Sequence, residues 1–139
     1  MNDSEVFREL RRIRDKALAR YSNFKVGALI STKGNKYFSG INIESSSYGL
    51  TMCAERVALF KALSEGEKEF DTIYILASND DFCPPCGACR QMLMDYAPDL
   101  TVVLFNEKGN KKTFLLKNLL PEAFTPKYLR DSQTDKNRD

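Results

Sequence analysis

Apolar residues along this chain fall either at helical spacing or in short buried runs, and the switches between the two predict its elements. Val6, Leu10, Ile13, Ala17 and Leu18 fall near helical spacing with charges between them, so a helix is expected from a cap at Asp3 or Ser4 to about Arg20. Lys25 to Ser31 reads as a buried strand, Thr32 to Asn35 as a turn and Lys36 to Asn42 as the return strand of a hairpin. A polar loop over Glu44 to Gly49 precedes a second helix, from Met52 or Cys53 to about Glu65, which Gly66 ends. Asp71 to Ser78 reads as a buried strand and Cys86 to about Tyr96 as a third helix, stopped by Pro98. Leu100 to Asn106 and Lys111 to Leu116 read as two more strands, and Leu119 to Leu129 as short helical pieces around Pro121 and Pro126.

This order predicts an α/β chain with parallel strands in its middle, a three-layer α/β/α sandwich around a mixed sheet of about five strands. Residues 1–130 read as a single domain and 131–139, which carry no apolar residue, as a flexible polar tail. Composition narrows the function classes. A net charge of +2 lacks the basic excess that gripping a nucleic acid polymer calls for. No apolar run is long enough for a membrane span, and the charged N-terminus has no signal-peptide core, so a cytoplasmic protein is expected. The chain has four cysteines and no histidine. Every Ser-His or Cys-His scheme is thereby excluded, and any zinc site must be built from Cys, Asp or Glu.

Two segments carry the chemistry: Met52-Cys53-Ala54-Glu55-Arg56 and Pro85-Cys86-Gly87-Ala88-Cys89-Arg90-Gln91. Each opens a predicted helix after a loop, where unpaired N–H groups and the helix dipole favour thiolate. Two residues separate Cys86 from Cys89, so both sulfurs can reach one ion from a first helical turn, and Cys53 can supply a third. Three protein ligands leave a fourth tetrahedral position open, which is a catalytic arrangement. Cys-x-Glu followed by Pro-Cys-x-x-Cys is the signature of zinc nucleobase deaminases, in which the glutamate is acid and base and not a ligand. Three thiolates outweigh the charge of one zinc ion, so a cation should stand beside them; Arg56, three residues after Cys53, is expected to be the main one and Arg90 the second. With Cys83 added, the cysteines could instead form a closed structural site. Pro84-Pro85 and the presence of Glu55 count against that, and Cys83 reads as a free thiol in a loop.

The match extends beyond these segments. Tyr21-Ser22-Asn23-Phe24-Lys25-Val26-Gly27-Ala28, Gly40-Ile41-Asn42-Ile43-Glu44 and Leu119-Leu120-Pro121-x-x-Phe124, together with the two cysteine segments and in this order, resemble the cytidine deaminases, specifically the small homotetrameric kind with a three-cysteine zinc. Arg20 departs from the proline usual there. The resemblance implies one zinc ion per subunit on Cys53, Cys86 and Cys89, with Glu55 shuttling protons from water to the ring nitrogen and the departing amino group. It implies Asn42 and Glu44 as readers of the ribose, Phe24 as a wall against the pyrimidine, backbone groups of Ala54 at the base edge and Gln91 as support for the sulfurs. Phe124 is the candidate to enter a neighbouring subunit's pocket in the homotetramer. The expected reaction is hydrolysis of cytidine and deoxycytidine to uridine and deoxyuridine with release of ammonia, in pyrimidine salvage. The substrate would be a free nucleoside, with no nucleic acid polymer and no membrane as partner. On pattern alone, Phe24 reads equally as core or pocket, Phe124 as core, Asn42 and Glu44 as loop polar residues and Gln91 as a solvated helix position. The alternatives are a blasticidin-type deaminase, against which the Asn42-x-Glu44 pair argues, a polynucleotide-editing deaminase, and a non-enzymatic zinc module.

Overall fold

Period-two alternation in the strands divides the interior into two layers of contact. In a computed structural model of the protein, which describes residues 1–129, five strands form one mixed sheet. They are β1 (Val26–Thr32), β2 (Tyr37–Ile41), β3 (Phe70–Ala77), β4 (Thr101–Phe105) and β5 (Lys111–Leu115), in the spatial order β2-β1-β3-β4-β5. β1 lies antiparallel to both β2 and β3, β3 and β4 are parallel with Ile73 beside Val102, and β5 returns antiparallel to β4. The helices are α1 (Asp3–Arg14), α2 (Ala54–Ser64), α3 (Gly87–Tyr96) and the single turn α4 (Leu116–Leu119). The predicted tail at 131–139 lies outside the described residues. Among the described residues no helix is long and apolar enough to cross a membrane.

Helix α1 covers one face of the sheet, where Val6, Leu10 and Ile13 pack against Leu29, Leu76, Val103 and Phe105. Helices α2 and α3 cover the other, where Ala54, Ala58, Leu59, Ala62 and Leu93 meet Ala28, Ile30, Ile73, Ile75, Val102 and Leu104. Neighbouring strand residues thus point to opposite layers, as the pleat demands. Each leucine-sized side chain so buried contributes about 2 kcal/mol.

Three local outcomes differ from the sequence pattern. α1 is capped by Asn2, not Asp3 or Ser4, through a reciprocal pair in which the Glu5 N–H donates to Asn2 and the Asn2 N–H donates to Glu5. It ends at Arg14 and not near Arg20, because the next residues are claimed by a tertiary pairing: the Leu18 N–H donates to Asn42 O at 2.9 Å, and the Glu44 N–H donates to Leu18 O at 3.0 Å. Between Leu119 and Leu129, where helical pieces were expected around both prolines, the chain makes only a 3-10 turn at Pro126–Tyr128 beyond the end of α4.

Two features bring α2 to its place. Ile43 and Met52 form an isolated antiparallel bridge, with N–H to O distances of 3.0 and 2.9 Å, which fixes the residue just before Cys53. Helix and sheet also approach very closely at Gly40 on β2, where an added Cβ would lie 2.1 Å from Ala54 O and 2.5 Å from Ala58 N. Both obstacles are backbone atoms, so no side-chain rotation can make room. Gly40→Ala is therefore expected to destabilise the fold by about 3 kcal/mol or more. A urea unfolding curve with an unchanged midpoint would refute this close packing.

Candidate active site

Cys53 and Cys86 are the N-caps of α2 and α3, so the two helices aim their unpaired N–H groups at the same place. The Cys89 N–H donates to Cys86 Sγ at 3.5 Å, which makes that sulfur the capping acceptor of α3. Sγ of Cys53 and Cys86 are 3.7 Å apart, and Sγ of Cys86 and Cys89 are 3.4 Å apart. All three sulfurs lie within 4.8 Å of one another, and among the described residues they form the one group able to hold a metal ion. Tetrahedral zinc with bonds of ~2.3 Å would set its sulfurs ~3.8 Å apart, so this donor set fits the ion. Cys83 is outside the group. It is a half-buried free thiol whose pKa burial pushes up to about 11. A closed four-cysteine site is therefore not what this fold builds.

The charge balance follows from the packing. Arg56 Nη2 donates to Cys53 Sγ at 3.6 Å, while its Nε is buried without a partner. The Cys53 thiol is drawn down to about 5, first by a hydrogen bond from Cys89 and then by Arg56, and the same pairing pushes Cys89 up. Glu55, in the first turn of α2, is only 5% exposed. Burial pushes its carboxyl up to about 7, and the negative Cys53 adds to the rise.

The other predicted residues fall into two groups. Asn42 is buried, with its Oδ1 accepting from the Val26 N–H at 2.9 Å and its Nδ2 donating to Phe24 O at 2.8 Å. Each end of the amide keeps one free valence for a ligand. Glu44 accepts from the N–H groups of Tyr21 and Ser22 at 2.9 and 3.0 Å and from the Ser22 hydroxyl. The Ser22 hydroxyl leads the contacts that hold the Glu44 carboxyl below the usual range. Tyr21, Ser22, Glu44, Tyr48 and Thr51 line an open cavity of about 340 Å³. Ser22, Tyr48 and Thr51 have no charge or metal affinity to single them out in the sequence; only the fold gathers them around Glu44. Ala54 is fully buried at the start of α2, and Phe24 is 36% exposed, at the surface and not in the core.

Arg90 and Gln91 make their hydrogen bonds elsewhere than at the sulfurs. Neither side chain donates to sulfur. The Arg90 Nε donates to Pro85 O at 2.7 Å and its Nη1 to Leu119 O at 2.7 Å. Gln91 Nε2 donates to Phe124 O at 2.8 Å and to Asp95 Oδ1 at 3.2 Å. Both hydrogens of the Gln91 amide are taken by these contacts, while the Arg90 guanidinium spends two of its five donors on carbonyls of the loop and of the C-terminal segment. Phe124 is 54% exposed and stacks on Tyr128, with ring centroids 5.7 Å apart, so the core reading of its pattern fails.

Comparison with known proteins gives a consistent result. Residues 1–105 match the family model described as the cytidine and deoxycytidylate deaminase zinc-binding region. The chain is 42% identical over 132 residues to a cytidine deaminase of Halalkalibacterium halodurans, covering 94% of this chain and 100% of that one. It is 37% identical over 114 residues to a blasticidin-S deaminase of Bacillus cereus, covering 76% of this chain and 78% of the other. A crystal structure of cytidine deaminase from Burkholderia pseudomallei superposes with a TM-score of 0.85 at 43% identity, over 89% of this chain and 100% of that chain.

Arg56→Ala is expected to weaken zinc retention about 10- to 100-fold in a chelator competition, because it strips the cation from an over-negative sulfur cluster. Equal retention in the variant and the unsubstituted protein would show that the 3.6 Å contact carries no charge compensation.

Proposed function

We propose, from the premise that this chain belongs to the cytidine and deoxycytidylate deaminase zinc-binding family, that it hydrolyses cytidine to uridine and ammonia. The observation that carries this reading is the convergence of three sulfurs at two helix N-termini with a buried carboxyl group in the first turn of α2. Cys53, Cys86 and Cys89 would hold one zinc ion per subunit. A zinc ion bound there supplies a Lewis acid that lowers the pKa of water.

Glu55 is the acid and base. Its carboxylate takes a proton from water as the water oxygen bonds to the amino-bearing carbon, and it delivers that proton to the adjacent ring nitrogen. It then carries a second proton, from the hydroxyl now on that carbon, to the amino group; the carbonyl forms as the carbon–nitrogen bond breaks, and ammonia leaves. A carboxyl group raised towards neutrality suits both directions of transfer. Arg56 neutralises the excess negative charge of the sulfurs, and backbone groups of Ala54 meet the base edge. Phe24 offers its partly exposed ring to the pyrimidine. Asn42 and Glu44 read the ribose, and they also hold the Tyr21–Phe24 turn through the hydrogen bonds described above.

The same reading extends to deoxycytidine, to a role in pyrimidine salvage in the cytoplasm, and to a homotetramer in which Phe124 enters a neighbouring pocket. The exposure of Phe24, Tyr48, Leu50 and Phe124 supports a covered surface there, since large apolar side chains favour burial between subunits. A domain spanning 1–130 accommodates all these parts. Blasticidin S is the second substrate to test, because of the similarity to the Bacillus cereus protein.

The test follows cytidine ultraviolet absorbance and ammonia release beside zinc content. Glu55→Gln is expected to keep its zinc and lose activity by 10²- to 10⁴-fold or more. Full turnover by the variant, or exclusive action on blasticidin S by the unsubstituted enzyme, would overturn the proposal.

A further inference from the structure

The two residues that follow Cys89 direct hydrogen bonds to backbone carbonyls and not to sulfur. Arg90 joins Pro85 O, just before Cys86, to Leu119 O at the end of α4. Gln91 reaches Phe124 O. Between Pro121 and Phe124, past the end of α4, no backbone hydrogen bond ties the chain to the rest of the described residues. Leu119, Leu120 and Ala123 touch the main core only as half-buried side chains. Directional hold on this segment therefore comes from two side chains of one helical turn, the turn that carries Cys86 and Cys89. The Phe124 carbonyl is fixed at 2.8 Å from Gln91 while the Phe124 ring is left exposed. A pinned backbone with a half-exposed ring, stacked only on the equally exposed Tyr128, is the geometry of a side chain held out for something beyond its own fold.

We infer that Gln91 and Arg90 are positioning residues for the reaction: they hold the 119–124 segment in register with the metal-bearing turn, so that Phe124 is presented ready to close a substrate pocket. This rests on the proposed function for what Phe124 closes, but the tether itself does not. Losing one such hydrogen bond should weaken presentation of the ring about fivefold. Because the effect acts through Phe124, it should vanish once the ring is gone.

The experiment uses the zinc-loaded enzyme. Gln91→Leu is expected to speed hydrogen exchange in residues 120–125 about fivefold and to raise KM for cytidine by a similar factor, with kcat and zinc content within twofold of the starting protein. In a Phe124→Ala background the same substitution should add less than twofold to KM. Gln91→Glu keeps the volume but has no N–H to donate, so it should reproduce Gln91→Leu if the latter folds poorly. Arg90→Lys, which cannot span both carbonyls, should loosen the same segment. Unchanged exchange in the Gln91 variants would overturn the tether. A KM effect of equal size with and without the Phe124 ring, or a loss mainly in zinc or kcat, would overturn the positioning role. Faster exchange in the variants of a protein that never acts on cytidine would instead sink the proposed reaction and leave the tether standing.

Discussion

Three sulfurs within 4.8 Å of one another, each able to carry a negative charge, are the constraint on which this structure depends. Like charges at such a distance repel by several kcal/mol at the effective dielectric of a protein. The fold must supply opposing charge there, and it does so with parts that are separate in the chain. Two helix N-termini contribute their partial positive ends, and Arg56 contributes a full charge one turn into α2. A divalent ion completes the balance. Glu55 is the telling exception, since an additional acid is kept in that environment with its carboxyl pushed up to about 7. A group that costs stability to bury is retained where its proton can be used.

The sheet serves this cluster by directing chain ends. β3 delivers the chain to the loop before Cys86, and the Ile43–Met52 bridge delivers it to Cys53. Helix α2 must lie almost on the backbone of β2 to reach its partner, which is why small residues line the contact: Gly40 on the strand, and Ala54, Ala58 and Ala62 on the helix. Larger side chains there would fill space well but would move Glu55 away from the sulfurs. Packing and chemistry are therefore the same constraint at this interface.

Around the cluster, polar side chains hold backbone in place. Asn42 and Glu44 secure the turn that carries Phe24, and Arg90 and Gln91 secure the segment that carries Phe124. Each of these aromatic residues is at least a third exposed. Their sequence patterns suggest burial because alternation records only hydrophobicity, and a residue buried by a ligand or another subunit carries the same signal as one buried by its own fold.

The elements were legible because their causes are local. Short continuous apolar runs at Val26–Thr32 and Thr101–Phe105, the turn residues after β1 and Gly66 after α2 all act within a few positions. The cysteine segments were legible for a related reason: spacing on one helical turn fixes which sulfurs can meet, and the absence of histidine leaves few other chemistries. The end of α1 and the partners of Arg90 and Gln91 were decided only by the tertiary structure. Each depends on groups distant in sequence, Asn42 for Leu18, Leu119 for Arg90 and Phe124 for Gln91, competing for the same hydrogen bonds. The sequence alone determined which atoms could bind an ion, because that chemistry belongs to the residues themselves; which neighbours would hold those atoms in place was settled only when the chain closed on itself.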